Sequence, residues 1–374
     1  MKQILVVGAG ISGVTVANLA AESGMKATLI DRKSHIGGNI ADHKDGNGIM
    51  IHDYGSHIMH TSDKRVWKYL NKFTKFNTYM HKVIAVIDGI ETTIPFNFNT
   101  IHDVFPESMA VKLEEKLLSK FEYGKKIPIM ELIEQDDEEI KFLAKYVYEK
   151  VFLHYTMKQW EMSPKEIDNA VTARVPVYLS KDRRYFQDTY QGIPLKGYTD
   201  MVKKMLDHRN ILVKLGTDSK NVDFDDYEHV FYTGSIDELL DYKYGVLPYR
   251  SIYFKYETHN MEHYQSNAVV NYPCNYDFTR IHEYKYYLND KSDKTVIAKE
   301  YSEPFEPEKN ERYYPIQNKE NEVLYEKYLV EIKKTMPNVH ILGRLGDYKY
   351  YDMDKAVKRA FEVFENVFTE CKMF

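Results

Sequence analysis

The chain has 374 residues, which exceeds one ordinary hydrophobic core and predicts two or more domains. Its 51 basic and 56 acidic residues give a net charge of -5, which excludes the global basic field on which non-specific nucleic-acid binding depends. The two cysteines, Cys274 and Cys371, form neither a metal-ligand spacing nor a disulfide framework, a pattern typical of a reducing compartment.

The first 39 residues predict a unit that binds a dinucleotide. An apolar strand leads into Gly8-x-Gly10-x-x-Gly13, a helix, and a second strand that ends at Asp31. In such a unit the first glycine allows a tight turn, the second lets the backbone approach a pyrophosphate, and the third packs the helix on the strand. Asp31 lies 18 residues beyond Gly13, where a carboxylate accepts ribose hydroxyls. The alternative is a glycine-rich turn in an ordinary α/β unit.

A second glycine pair, Gly37-Gly38, follows and precedes Asn39. A Gly-Gly soon after the ribose-binding acid resembles the extended fingerprint of the glutathione-reductase-like flavoproteins, and this resemblance favours FAD over NAD. Farther along, the loop from Gly55 to His60 contains His57 and His60, three residues apart. Without a third ligand nearby, this spacing predicts a loop histidine beside the cofactor and no metal site.

The rest of the chain alternates between strand and helix patterns. In chain order we predict a hairpin at 80–96, helices across 100–160, extended chain at 169–194, a helix at 197–207, strands at 211–215 and 230–234, antiparallel strands across 253–301, a strand and turn at 338–344, and an amphipathic helix at 353–368. No stretch approaches the roughly 20 apolar residues of a membrane span, and the chain opens directly into its first strand. We therefore expect a cytoplasmic protein without a membrane span.

Three arginines stand in settings suited to phosphate. Arg174 and Arg280 lie in extended segments among aromatic and hydroxyl side chains, where a planar guanidinium makes bidentate contacts to phosphate. Arg344 lies in a glycine turn just before the last helix and suggests a contact to a cofactor pyrophosphate, with Asp352 to Asp354 at that helix's N-terminus. For any one arginine, a surface salt bridge is the alternative.

Four segments together resemble the UDP-galactopyranose mutases of the bacterial type, and the resemblance runs from residue 1 to about 368. Each segment is a weak signal alone, and their order and spacing make the resemblance specific. The segments are Tyr155-Thr156-x-Lys158-Gln159-Trp160, Arg174-x-Pro176-Val177, Thr279-Arg280-Ile281, and Gly343-Arg344-Leu345-Gly346 through Tyr350-x-Asp352-Met353.

The resemblance implies a flavin-dependent isomerisation of UDP-galactopyranose to UDP-galactofuranose without net oxidation. In that family, reduced FAD is the nucleophile and a sugar adduct at flavin N5 allows the ring to open and close again. The resemblance further implies a homodimer, an external reductant such as NAD(P)H, a loop that closes over substrate, and a role in cell surface polysaccharide biosynthesis. The N-acetylgalactosamine analogue is a possible second substrate.

The resemblance also assigns residues. Arg174 and Arg280 would clamp the diphosphate and, with His57 against the flavin, form the catalytic set. The other substrate-binding residues would be Phe152, Tyr155, Thr156, Trp160, Tyr185, Asn271, Tyr314 and Tyr350. The cofactor-binding residues would be Gly8, Gly10, Ser12, Gly13, Asp31, Arg32, Gly38, Asn39, His57, Ile58, Arg344, Tyr351, Asp352 and Met353.

The fold class that follows is α/β: a Rossmann-like FAD-binding domain with an inserted helical bundle and a mostly antiparallel β-sheet domain. We expect the FAD-binding domain at 1–78, 195–240 and 316–374, the helical domain with its substrate loop at 100–168, and the sheet domain at 79–99, 169–194 and 241–315. The domains share the chain, because no linker separates them.

Two positions depart from the family pattern: Lys181 replaces an aromatic residue, and His154 precedes Tyr155 where glycine is frequent. Both concern the nucleotide side and not the reaction class. A conventional FAD-dependent oxidoreductase of the amine oxidase type would share the fingerprint and layout, and an FAD-binding scaffold is a third possibility. Arg174, Arg280 and the tyrosines favour the mutase, because an amine substrate has no diphosphate to neutralise.

Overall fold

The computed structural model describes residues 3–160 and 176–370 of the chain. Short strands and helices alternate along most of the described residues. The strands are, in chain order, β1 (Gln3–Val7), β2 (Lys26–Asp31), β3 (Asp42–Lys44), β4 (Met50–His52), β5 (Met59–Thr61), β6 (Val83–Ile87), β7 (Ile90–Ile94), β8 (Lys126–Pro128), β9 (Pro176–Tyr178), β10 (Tyr190–Gly192), β11 (Ile211–Leu215), β12 (His229–Tyr232), β13 (Tyr249–His259), β14 (Val269–Asn271), β15 (Arg280–Glu283), β16 (Thr295–Pro304), β17 (Tyr314–Pro315) and β18 (Val339–Ile341).

The helices range from single turns to long amphipathic segments. They are, in chain order, α1 (Ile11–Glu22), α2 (Lys64–Leu70), α3 (Phe98–Val104), α4 (Glu107–Lys120), α5 (Ile129–Ile133), α6 (Glu138–Val147), α7 (His154–Trp160), α8 (Tyr198–Leu206), α9 (Ile236–Leu239), α10 (Lys285–Leu288), α11 (Lys319–Thr335), α12 (Gly343–Gly346) and α13 (Met353–Glu370). A π-helical segment, Tyr148–Leu153, joins α6 to α7. Within the described part of the chain, no helix combines the length and the apolar composition needed to span a bilayer.

A five-stranded parallel sheet has the order β11-β2-β1-β12-β18. Its central strand β1 is buried on both faces, as expected where helices and loops cover a parallel sheet on either side. Ile4 and Val6 pack into the core that contains α1 and α13, whereas Leu5 and Val7 pack into a smaller core on the other face. The strands come from distant parts of the chain, and the predicted Rossmann-like α/β class is confirmed.

A seven-stranded sheet has the order β17-β13-β16-β15-β14-β6-β7. All neighbouring pairs are antiparallel except β14 and β6, which run parallel. Asn271 on β14 lies directly opposite Arg280 on β15, and Arg280 lies opposite Glu300 on β16. Because residues directly opposite each other project to the same face of a sheet, this register gathers three polar side chains at one place.

Helices α3 to α6 and the π-helical segment form a separate core against strands β6 and β7. Its members include Phe98, Leu113, Leu143 and Phe152, all buried. The segment predicted as helical also contains a strand, since β8 pairs with β9. The domain boundaries given above stay predictions.

Helix α11 lies in a segment for which the sequence pattern predicts no helix. Only Tyr328 and Ile332 on this helix are fully buried, and charged residues occupy most of its surface. Its N-terminus is capped by the Asn318 side chain, which accepts from the backbone N–H of Asn321. The narrow apolar stripe explains why the helix was missed.

A histidine pair joins β12 to β18 and makes stability depend on pH. The ring nitrogens His229 Nδ1 and His340 Nε2 are 3.0 Å apart, and burial, with a smaller contribution from His229, lowers the pKa of His340 from 6.5 to about 4. Between these values the unfolded chain binds a proton that the folded chain does not. The free energy of unfolding therefore falls as pH drops from 6.5 towards 4, by at most about 1.4 kcal/mol per pH unit for this group.

Between pH 7 and pH 5, we expect the melting temperature of the His340→Gln variant to fall less than that of the wild-type protein. Scanning calorimetry at pH 8, where His340 is neutral in both the folded and unfolded states, isolates the packing cost of the substitution. Parallel pH profiles for the two proteins would contradict the assignment.

Candidate active site

A cavity of about 960 Å³ is lined by residues of both large sheets and of the helical core. Every predicted site residue whose side chain the structure describes lines this cavity, except Gly13. Arg174 lies outside the described residues, as does the Trp160 side chain. The structure therefore brings the residues predicted to bind the cofactor and those predicted to bind the substrate around one cavity.

The glycine turn after β1 fits a dinucleotide pyrophosphate. Gly8 has φ of +107°, a conformation that L side chains rarely adopt. A Cβ built on Gly10 would meet no atom within 4 Å, and Gly10, Ile11 and Ser12 line the cavity. No side chain caps the N-terminus of α1. The N-terminus of α1 thus has unpaired backbone N–H groups that an anion can approach closely, which is the environment that a pyrophosphate needs.

The second glycine pair packs against the first. Gly37 and Gly38 both have positive φ, of 95° and 54°, and a Cβ on Gly38 would lie 2.9 Å from the Cα of Gly10. Asp31 at the end of β2 accepts from the backbone N–H of Ala9 at 2.7 Å. The two glycine turns and Asp31 therefore form one wall of the cavity. Its backbone N–H groups suit a pyrophosphate and its carboxylate accepts ribose hydroxyls, which are the contacts that FAD needs.

Gly13 acts through packing and not through contact with the cavity. A Cβ at this position would lie 2.0 Å from the carbonyl oxygen of Gly8. Gly13→Ala must therefore push α1 away from β1, and we expect purified protein with little bound FAD and a lowered melting temperature. Absorbance of the released flavin and thermal melting measure both effects.

Gly46→Ala is the matched control, because a Cβ at Gly46 would meet no atom within 4 Å. Full FAD content in Gly13→Ala would show that the helix does not need this close approach.

The loop after β4 brings His57 to the cavity wall. His57 Nδ1 lies 2.7 Å from the carbonyl oxygen of Gly55, so Nδ1 carries the proton and donates, while Nε2 keeps a lone pair. Burial lowers the pKa of His57 from 6.5 to about 4, which leaves the ring neutral at pH 7. The Tyr198 hydroxyl donates to the His57 carbonyl at 3.0 Å and fixes the loop. His57 therefore presents a neutral imidazole.

His60 has a different partner set from that of His57. Its ring stacks on that of Phe186 with the ring centres 3.6 Å apart, and its Nδ1 lies 2.8 Å from Asp188 Oδ2. Among the residues that the structure describes, no group of three or more His, Cys, Asp or Glu side chains is placed to hold a metal ion.

Arg344 lies where α12 meets the cavity. Its Nη2 donates to the carbonyl oxygen of Tyr313 at 2.9 Å, and its guanidinium lies 4.6 Å from the ring centre of Tyr350 and 5.7 Å from that of Tyr314. The predicted last helix begins at Met353, as the sequence indicates. Arg344 and the start of α13 thus form part of the cavity wall.

Arg280 is the cation at the substrate side. Its Nε lies 3.0 Å from Glu300 Oε1, and its guanidinium lies 5.9 Å from the ring centre of Tyr155. Burial opposes ionisation of Glu300, but Arg280 and a hydrogen bond from His282 hold the pKa of Glu300 at about 2. Glu300 is therefore charged at every physiological pH and forms an ion pair with the Arg280 guanidinium, although Arg280 Nε makes no aligned hydrogen bond among the described residues.

Other predicted substrate residues surround Arg280. Phe152 and Thr156 are 2% and 4% exposed, so each presents only a small surface to the cavity. Asn271 is buried, and its Oδ1 has no hydrogen-bond partner among the described residues. A buried, unpaired acceptor on a cavity wall indicates a ligand that brings a donor.

The structure also shows residues that sequence reasoning missed. Five residues line the cavity without having been assigned there: Ser56, His81, Phe186, His282 and Glu300. For His282 a signal existed, because Arg280 and His282 are two apart on a strand and share a face. The partnership with Glu300 depends on strand register, which the local sequence does not encode.

The two departures from the family pattern lie away from the cavity lining. The Lys181 side chain is 58% exposed and its Nζ lies 3.3 Å from Glu114 Oε1. His154 is exposed on α7. In this structure neither side chain forms part of the cavity wall.

Known proteins with similar sequences point to the same kind of enzyme as this arrangement of residues. A family model described as UDP-galactopyranose mutase matches residues 150–350, and a model described as an NAD(P)-binding Rossmann-like domain matches residues 6–73. A Klebsiella pneumoniae protein named probable UDP-galactopyranose mutase is 38% identical over 363 residues, which cover 96% of this chain and 93% of that protein. The chain belongs to the UDP-galactopyranose mutase family.

Other relatives vary in their named substrates. An Escherichia coli dTDP-fucopyranose mutase is 35% identical, with 97% of each chain covered. The UDP-galactopyranose mutase of Mycoplasma pneumoniae is 31% identical and covers 95% of this chain and 94% of its own. A crystal structure of reduced UDP-galactopyranose mutase has a TM-score of 0.74 at 18% identity, covering 99% of this chain and 96% of that one, which shows a shared fold.

The enzyme is therefore a flavin-dependent isomerase, and FAD is its cofactor. A wild-type putrescine oxidase structure has a TM-score of 0.58 at 11% identity, and this likeness shows the fold alone. The amine oxidase alternative thus has less support than the mutase family.

Proposed function

We propose that the enzyme interconverts the pyranose and furanose forms of a nucleoside-diphosphate hexose, with UDP-galactose as substrate. The observation that supports this most is Arg280, a cation held on the wall of the cofactor cavity among phenolic hydroxyls. A diphosphate needs such a cation, and an amine does not. We choose uridine and galactose because relatives of the chain are named UDP-galactopyranose mutases.

The FAD site would be built from the two glycine turns, Asp31, Arg32, Arg344 and the N-terminus of α13. Reduced flavin supplies the nucleophile for the anomeric carbon of the sugar. The residues of the chain orient the two ligands and exclude water between them. We assign His57, neutral and fixed by Gly55, to the flavin side, where Nε2 is available as an acceptor.

Arg280, together with Arg174, would bind the diphosphate. As the bond between the sugar and UDP breaks, negative charge grows on the departing phosphate, and fixed guanidinium groups stabilise that charge without rearranging. Burial raises the pKa of Tyr155 and Tyr314, so their hydroxyls stay protonated and can donate to phosphate or sugar oxygens, as can the hydroxyl of the more exposed Tyr185. Phe152 and Thr156 would hold uridine, Trp160 and Tyr350 would contact the sugar end, and Asn271 would accept from a ligand hydroxyl.

The enzyme would also need an electron donor, and we assign this role to NAD(P)H. We further propose a homodimer that works in the cytoplasm and supplies galactofuranose for cell surface polysaccharides. These assignments follow from the family resemblance, and the two cysteines without a disulfide framework agree with a reducing compartment.

The test is incubation of reduced holoenzyme with UDP-galactose, UDP-N-acetylgalactosamine and dTDP-fucose in separate reactions, with pyranose and furanose products resolved by chromatography. The dTDP-fucose arm is included because the Escherichia coli relative carries that name. We expect furanose product from UDP-galactose. Product from dTDP-fucose alone would reassign the substrate, and no product from any of the three would contradict the proposed function.

A further inference from the structure

A buried run of polar side chains connects the His57 loop with Arg280. Ser56 Oγ lies 2.5 Å from His282 Nδ1, His282 Nε2 lies 2.9 Å from Glu300 Oε2, and Glu300 Oε1 lies 3.0 Å from Arg280 Nε. His282 and Glu300 are 1% and 3% exposed. At such burial each of these contacts matters, because water cannot replace a lost partner.

The direction of each hydrogen bond that His282 and Ser56 make is fixed, while Glu300 and Arg280 form an ion pair. A carboxylate only accepts, so His282 Nε2 must donate to Glu300. Burial lowers the pKa of His282, which leaves its Nδ1 without a proton, and Nδ1 therefore accepts from the Ser56 hydroxyl. Ser56 Oγ in turn accepts from the Tyr287 hydroxyl. The ring of His282 is thus held in one tautomer and one orientation.

The run borders the cavity along its whole length, with Ser56 and Arg280 at its ends and His282 and Glu300 between them. Ser56 lies between Gly55 and His57, and all three line the cavity, as does Arg280. A Cβ on Gly55 would lie 2.9 Å from the ring of Phe254, so the loop is packed tightly on the seven-stranded sheet. His282 stands on β15 of that sheet and supplies the polar link between sheet and loop.

We propose that His282 is a positioning residue that fixes Arg280 through Glu300 and fixes the His57 loop through Ser56. The inference rests on the proposed function, since it takes Arg280 as the diphosphate contact and the His57 loop as the flavin side. His282 borders the cavity, but both of its ring nitrogens are already paired, so in this assignment it acts through Ser56 and Glu300 and makes no polar contact with a ligand. It sets the distance and angle between the group that binds the leaving nucleotide and the loop that borders the cofactor.

Two substitutions separate the halves of this role. In His282→Asn the amide reaches only the position of Nδ1, so the Ser56 contact is kept and the donor to Glu300 is lost. In His282→Gln the amide reaches the position of Nε2, so the donor to Glu300 is kept and the Ser56 contact is lost. The readouts are the dissociation constant of UDP from oxidised holoenzyme, by calorimetry, and the flavin midpoint potential, by dye-coupled reduction.

We expect His282→Asn to weaken UDP binding about tenfold with an unchanged flavin potential. We expect His282→Gln to bind UDP within about twofold of wild type while the potential shifts. Ser56→Ala removes the contact to His282 and also the acceptor of the Tyr287 hydroxyl, and it should match His282→Gln in shifting the potential without weakening UDP binding. A residue that merely fills space would change neither readout or would change both equally in the two variants.

His259→Gln is the matched control, since His259 pairs with Glu257 at 3.2 Å on β13 and is outside the cavity lining. Unchanged UDP affinity in His282→Asn, or an unchanged potential in both His282→Gln and Ser56→Ala, overturns the inference. Failure of wild-type holoenzyme to bind UDP instead overturns the proposed function, so the two failures are distinguishable.

Discussion

Fully oxidised holoenzyme is expected to form no furanose product, whereas the same preparation reduced by dithionite or NAD(P)H converts UDP-galactose. The reason is that only reduced flavin has an electron pair at N5 available for the anomeric carbon, and covalent catalysis depends on such a nucleophile. The measurement is an anaerobic assay in which flavin absorbance and product formation are followed together. Admission of air should stop turnover, and a second reduction should restore it.

The stoichiometry of the same assay separates an isomerase from an oxidoreductase. Isomerisation consumes no electrons, so one reduction of the flavin should support many product molecules. A conventional flavin oxidoreductase would give one product for each electron pair transferred. Equal turnover by oxidised and reduced enzyme would rule out the nucleophilic flavin, and one product per reductant would favour the oxidoreductase alternative.

The cofactor side could be predicted from sequence because its determinants are local. Gly8, Gly10 and Gly13 act within one turn and the first turn of α1, where φ and close approach decide which residue fits. Asp31 follows from the length of α1 plus one strand. These constraints depend on chain neighbours, so their spacing is visible in the sequence without any knowledge of the rest of the fold.

The substrate side could be predicted only in part. Arg280 could be singled out from its setting among aromatic and hydroxyl side chains, and the family resemblance assigned it to the diphosphate. Its partner Glu300 lies 20 residues away and meets it through the register of two antiparallel strands. Ser56 meets His282 across 226 residues. Contacts of this kind are set by tertiary packing, and neither periodicity nor spacing indicates them.

Helix α11 shows the other limit of sequence reasoning. Its buried face is one narrow stripe, and exposed Val323 and Val330 disturb the amphipathic pattern. The available signal was Asn318 as an N-cap followed by Leu324, Tyr328 and Ile332 at intervals of four. That signal is weak because only two residues of the stripe, Tyr328 and Ile332, are fully buried.

Arg280→Ala is expected to lower turnover by about 10³-fold while FAD remains bound, because the departing diphosphate loses a fixed cation in a partly dry site. Arg280→Lys keeps a charge but lacks the planar fork, so an intermediate loss is expected. We expect the same loss for Arg174→Ala, on the assumption that both arginines bind one diphosphate. Steady-state kinetics of reduced enzyme, with flavin content measured in parallel, distinguish loss of catalysis from loss of cofactor.

The substitution also removes the partner of a buried carboxylate, and this second effect must be separated from the first. Glu300 in Arg280→Ala would keep His282 and Thr279 as donors but would have no cation beside it. The double variant Arg280→Ala/Glu300→Gln removes that uncompensated charge and should recover any lost thermal stability without recovering turnover. Arg65→Ala, at an exposed ion pair with Glu365, controls for the loss of an arginine elsewhere. Near-wild-type turnover in Arg280→Ala, or full recovery in the double variant, would mean that Arg280 serves to neutralise Glu300 and does not bind the diphosphate.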